Sequence, residues 1–231
     1  RHDCRPEYPT IVYSQILRQL YPDIPIVLGG IEASMRRLTH YDYWQDKLKK
    51  CILCDSGADI ILYGTGTKSI LQLCNEIESG RIIGDIHDIP QTVYLTKSVN
   101  LQGDITDNDI ILHSHEECVK DKKAEAENFR HIEEESNKIH AQRLLQKVDD
   151  YYAVVNPPYP TLTTEELDAS FDLPYTRLPH PKYQDKRIPA YEMIKFSVNI
   201  HQGCFGGCAF CTISAHQGKF VVCRSKESIL R

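Results

Sequence analysis

Ala58-Asp-Ile-Ile-Leu-Tyr-Gly-Thr-Gly66 decides the fold class. Four consecutive apolar residues cannot alternate between a wet and a dry face, so the run suits a strand covered on both sides, and the glycines close it. Residues 67–79 (TKSILQLCNEIES) then repeat apolar positions at helical spacing, with Ile70, Leu71, Cys74 and Ile77 expected to face inward and Gly80 as the stop. Upstream, Ile24-Pro-Ile-Val-Leu-Gly-Gly30 has the same form, preceded by a helical pattern over 10–20 with Ile11, Ile16, Leu17 and Leu20 on one side. Strands that alternate with helices and end in glycine predict an α/β layer around a parallel sheet.

Working outward, residues 32–50 (EASMRRLTHYDYWQDKLKK) predict a helix-rich stretch dense in basic and aromatic side chains. Its Glu32, Arg36, Arg37, His40, Tyr41, Asp42, Tyr43 and Trp44 follow the carboxyl end of a strand, where α/β ligand sites gather. The same residues would serve equally as an ion-paired surface helix. Residues 92–96 and 109–113 are further short strand candidates. Residues 115–148 are highly charged, with Val119, Phe129, Ile132, Ile139, Leu145 and Val148 as a thin apolar stripe, and predict a solvated connecting helix. Prolines at 157, 158, 160, 174, 179, 181 and 189 then prevent long regular elements. Lys195-Phe-Ser-Val-Asn-Ile200 alternates as a strand should and runs into His201-Gln-Gly-Cys204.

That strand leads to Cys204-Phe-Gly-Gly-Cys208-Ala-Phe-Cys211, a C-x3-C-x2-C run. Three thiolates this close converge on one metal site only if the backbone curls tightly, and Gly206-Gly207 supply that freedom. Three ligands on a four-iron cube leave one iron open to a small molecule, whereas four would close the site for electron transfer. Two other chemistries fit: zinc bound with His216 or Cys223 as fourth ligand, and a closed cluster that recruits Cys223. Cys51-x2-Cys54 encloses Ile and Leu, and reads as part of a half-buried element. His113 and His115 read as loop histidines, and His201 either lines the cysteine site or caps the strand.

The totals exclude some classes. The chain has 231 residues and a net charge of −5, so there is no basic excess of the kind that marks a nucleic-acid binder. No apolar run is long enough for a transmembrane helix and no signal peptide is legible, so nine cysteines predict free or metal-bound thiols in a reducing, cytoplasmic setting. The opening Arg1-His-Asp-Cys4, without an initiator Met, and a close in helical pattern (Ser225–Arg231) predict a piece of a longer protein.

The cysteine spacing, with aromatic Phe210 just before the third cysteine, resembles the signature of the radical S-adenosylmethionine (SAM) superfamily. The segment from Arg187 through the cysteine loop, and Val27–Trp44, resemble the YgiQ-type family within it. The resemblance implies that Cys204, Cys208 and Cys211 hold a [4Fe–4S] cluster. SAM would chelate the open iron, with Phe210 against its adenine. One electron from a reductant such as flavodoxin or ferredoxin would release a 5′-deoxyadenosyl radical. It implies a chemistry and not a substrate.

The N-terminal half also resembles part of the cobalamin-binding-like layer that precedes many such barrels. The axial-ligand pattern D-x-H-x-x-G is broken, however: Asp85-Ile-His87 ends in Pro90 after the wrong strand, and cobalamin is not expected. The expected organisation is an incomplete Rossmann-like layer (1–114), a charged helical connection (115–150), a Pro-rich linker (151–190) and the opening of a partial (β/α) barrel (191–231). The segments that hold SAM would lie downstream, so this stretch alone is expected to be inactive.

Overall fold

A computed structural model describes residues 7–97, 105–183 and 186–231; the opening Arg1–Cys4 lies outside them. Its first part runs α1 (Pro9–Leu20), β1 (Val27–Gly29), α2 (Gly30–Met35), β2 (His40–Asp42), β3 (Lys47–Lys49), α3 (Ile52–Ser56), β4 (Ile60–Leu62), α4 (Thr67–Glu78), β5 (Thr92–Lys97) and β6 (Asp109–Leu112). Next come α5 (His115–Lys120), α6 (Lys122–Ser136), β7 (Arg143–Val148), β8 (Tyr151–Val155) and α7 (Thr164–Phe171). The last part holds α8 (Pro189–Ile194), β9 (His201–Gln202), α9 (Ile213–Gln217), β10 (Val222–Cys223) and α10 (Lys226–Leu230).

The α/β class holds, but the sheet is mixed rather than parallel. Six strands lie in the order β1-β4-β5-β8-β7-β6. β1 with β4 and β6 with β7 are parallel, while β4 with β5, β5 with β8 and β8 with β7 are antiparallel. The reason lies in the connections: Asp149-Asp150, with Asp149 at φ +52°, turns β7 straight back into β8. Such a tight hairpin joins only antiparallel strands.

β4 is buried on both faces, as its unbroken apolar run requires. Ile61 joins Leu28, Ala33, Cys51, Ile52, Leu53 and Val93 on one side, whereas Ile60 and Leu62 pack with Leu73, Ile86 and Ile89 on the other. Each such side chain contributes about 1.5–3 kcal/mol relative to exposure.

Several expectations are corrected. Residues 32–50 form only the short helix α2 and then the hairpin β2–β3, because Asp42 accepts from the Gln45 amide at 3.0 Å and Asp46 takes φ +49° to turn the chain. In α4 the inward side chains are Ser69 and Leu73, while Ile70, Leu71, Cys74 and Ile77 face out. In α1 Ser14 is buried and Ile16, Leu17 and Leu20 are exposed. The stretch 115–150 is not one helix: after α5 and α6 it becomes strand β7, where Leu145 and Val148 are fully buried. β8 likewise belongs to the sheet and not to a linker, which leaves the Pro-rich segment to begin after Val155. Residues 195–200 form no strand; Phe196, Val198 and Ile200 are exposed, with no layer among the described residues to cover either face.

Candidate metal centre and the adjoining cavity

β9 and β10 form a small antiparallel pair that carries the cysteine loop, with Val222 opposite Gln202 and Cys223 opposite His201. The loop is anchored at its root. Gly203 donates to Gln217 Oε1 at 3.2 Å and the Cys204 amide to the Gly218 carbonyl at 3.0 Å. Gly203 has φ +84°, and a Cβ there would stand 2.1 Å from the Phe220 carbonyl oxygen, so only glycine fits.

The three predicted ligands lie on one exposed curl. The Gly206 amide points at Cys204 Sγ at 3.4 Å, and the Cys208 thiol donates to the Gly206 carbonyl at 3.5 Å. A Cβ on Gly206 would meet Cys204 Sγ at 3.2 Å and Cys208 Sγ at 3.7 Å, so the two sulfurs share a cradle that a side chain would fill. The Cys211 amide donates to the Cys208 carbonyl at 3.0 Å and closes the turn. Among the described residues, no three His, Cys, Asp or Glu side chains converge on one point. Thiolate loops of this kind gather their ligands as the metal displaces the thiol protons. A soft, all-thiolate donor set with backbone N–H groups nearby is the chemistry that suits iron–sulfur or zinc.

The two fourth-ligand candidates are held elsewhere. Cys223 sits in β10 opposite His201, in the ladder at the root of the loop rather than on the curl itself. His216 turns its Nδ1 to Ser34 Oγ at 3.0 Å, which ties α9 to α2. Phe205 and Phe210 stand almost fully exposed, 85% and 91%. Neither aromatic ring has found a partner surface among the described residues.

Behind the loop, the carboxyl ends of β4 and β8 and the segment 214–222 enclose a cavity of about 190 Å3. Gly64 (φ +70°) lets α9 approach: a Cβ there would lie 3.2 Å from the His216 carbonyl oxygen. Tyr63 donates its hydroxyl to the Asn156 carbonyl at 2.6 Å, and burial pushes its pKa up. Asn156 Nδ2 in turn donates to the His87 and Ile89 carbonyls and to Thr92 Oγ1 at 2.9–3.0 Å. Arg37 enters the cavity from the end of α2 and lies over the Tyr63 ring at 5.1 Å.

The polar-aromatic patch therefore splits. Arg37 lines the cavity, Glu32 and Arg36 pair at 2.9 Å, and Tyr43 and Trp44 sit exposed on the hairpin tip. Of the cavity residues Arg37 and His216 were legible as site candidates, the latter as a metal ligand; Tyr63 and Asn156 were not, beyond the signal of glycine and proline at strand ends.

Elsewhere, Cys51 is buried at the start of α3 and donates to Cys54, which raises the first pKa and lowers the second. No third ligand joins them among the described residues. His115 is buried against Thr39 Oγ1 at 3.0 Å, whereas His113 pairs with Glu127 at 2.8 Å. His87 stacks on Tyr94 with centroids 4.1 Å apart.

The family described as radical SAM N-terminal matches residues 1–197, a stretch that stops short of the first loop cysteine. A UPF0313 protein of Bacteroides thetaiotaomicron is 62% identical over the whole chain, and one of Porphyromonas gingivalis is 56% identical. The UPF0313 protein YgiQ of Escherichia coli is 36% identical over 98% of the chain. The chain spans only 36–38% of these relatives' lengths. No solved structure matches.

Proposed function

The chain belongs to the radical SAM N-terminal family, and on that premise we propose that Cys204, Cys208 and Cys211 hold a [4Fe–4S] cluster with one iron left for SAM. Together, cluster and SAM supply one-electron reductive cleavage and hence radical chemistry on a substrate. The protein's own part is to hold the Cys204 and Cys208 sulfurs around Gly206 with Cys211 on the same loop, to anchor the loop at Gly203 and Cys204, and to shelter the space behind it.

One observation carries the reading. The three closely spaced cysteines share one anchored curl, while the other nearby cysteine, Cys223, lies outside it in the β9–β10 ladder opposite His201. A fourth protein thiolate is thus poorly placed to close the cluster, which supports an open iron over a closed electron carrier. Phe210, exposed on the loop, is then available to the adenine of SAM. A flavodoxin- or ferredoxin-type donor is the partner such chemistry needs, in a reducing, cytoplasmic setting. No helix among the described residues is long and apolar enough to cross a membrane.

Anaerobic reconstitution tests the reading. Wild type and C223A should both turn brown and bind about four irons per chain, while C204A, C208A and C211A should each lose most of the iron. In the protein extended to the length of its relatives, addition of SAM should shift the EPR signal of the reduced cluster. Iron loss in C223A would select the closed carrier, and a colourless protein that takes up zinc alone would select the zinc module.

A further inference from the structure

Four cationic side chains line the cavity behind the cysteine loop: Arg37, Lys68, Lys138 and Lys219. Three are neutralised in place, Lys68 by Glu166 at 2.7 Å, Lys138 by Glu135 at 2.5 Å and Lys219 by Glu133 at 2.6 Å. Arg37 has no ion pair among the described residues. Its Nη1 donates to the Ser34 carbonyl and its face rests on Tyr63. Its Nε is buried without any hydrogen-bond partner, and the adjacent Nη2 is not among the buried atoms.

Nε–H and the adjacent Nη2–H form the side-on fork of a guanidinium, which matches two oxygens of a carboxylate or phosphoryl group. Burial lowers the Arg37 pKa, but a guanidinium stays charged in proteins. Arg37 is half-buried as a residue, but a buried N–H of a charged group left unpaired is costly, and proteins rarely keep one without a use.

Beside it, the hydrogen bonds around Ser34 fix the tautomer of His216. With the Ser34 hydroxyl donating to the Gly30 carbonyl and accepting from the Gly64 amide, the 3.0 Å contact is a donation from His216 Nδ1–H. The Nε2 of neutral His216 is therefore an acceptor with no partner among the described residues. Burial, aided by the Arg37 charge, keeps this ring in its neutral form.

We propose that this cavity binds a small oxyanion, a compound with a carboxylate or phosphoryl group held side-on by Arg37 Nε and Nη2. A donor on the same compound, such as a hydroxyl, would meet His216 Nε2. The volume of about 190 Å3 is below that of drug-sized pockets, so the ligand is a small metabolite. The proposal does not depend on the cluster.

The test is made on the metal-free full chain, with the Arg37 Nε–H resonance assigned through bonds from its own backbone. Inorganic phosphate and acetate are titrated separately against chloride at constant ionic strength. A saturable shift of that resonance with phosphate, at least tenfold weaker with acetate, identifies a phosphoryl ligand. Equal or stronger saturation with acetate identifies a carboxylate. R37K, which keeps the charge and loses the fork, should weaken the better anion at least tenfold. A resonance that moves no more with either anion than with chloride overturns the proposal, as does undiminished binding by folded R37K. Should R37K not fold, the wild-type titration decides alone.

Discussion

Gly203→Ala is the sharpest probe of how the cysteine loop is built. The substitution forces an L-residue to φ +84° and sets its Cβ 2.1 Å from the Phe220 carbonyl oxygen and 2.9 Å from the carbonyl carbon. The backbone conformation alone costs about 1–2 kcal/mol. The overlap is with backbone, so no side chain can swing away, and Phe220 must retreat by more than an ångström. That motion breaks the Cys204–Gly218 hydrogen bond and loosens the facing Gln202–Val222 pair, for about 1 kcal/mol each. The sum is about 3–4 kcal/mol, charged to the loop and not to the six-stranded sheet. Amide hydrogen exchange at Cys204 should then accelerate by two orders of magnitude or more, since about 1.4 kcal/mol is tenfold. Iron uptake on reconstitution should fall, while the melting transition of the sheet stays in place. Gly84, whose added Cβ would meet nothing within 4 Å, provides the control in G84A. If the Cys204 amide of G203A exchanges at the wild-type rate, the anchoring argument is wrong.

Two further outcomes follow from buried polar groups. Asn156→Ala leaves the His87 and Ile89 carbonyls without their shared donor and should cost about 2–3 kcal/mol, read as a lower urea midpoint at unchanged m-value. His40, His115 and His216 all have folded-state pKa values lowered first by burial, so the unfolded chain binds protons more readily. Stability should be fully present above the ordinary histidine pKa of about 6.5 and fall as pH drops below it, by at most about 1.4 kcal/mol per pH unit for each histidine. H115Q should flatten that slope by about a third; identical slopes for H115Q and wild type between pH 7 and 5 would count against the assignment.

The sequence alone determined those features whose cause is local. An unbroken Ile60-Ile61-Leu62 run has to be covered on both faces, and Gly64 and Gly66 have to end it, so the α/β class and the strand ends could be read directly. That Cys204, Cys208 and Cys211 share one short loop was equally legible, because eight residues of chain cannot carry them far apart. Helix faces were not legible: Ile70, Leu71 and Ile77 repeat with helical period, yet Leu73 is the residue that meets the sheet, because period fixes which residues share a face and not which face is covered. Strand polarity was lost for a related reason. The antiparallel pairing of β5 with β4, the hairpin at Asp149-Asp150 and the pairing of β8 between β5 and β7 turn an expected parallel layer into a mixed sheet. The cavity depended wholly on tertiary structure, since Arg37, Tyr63, Asn156 and His216 come from four distant segments. No local pattern could reveal that three of the four cations around it find carboxylates and the fourth does not.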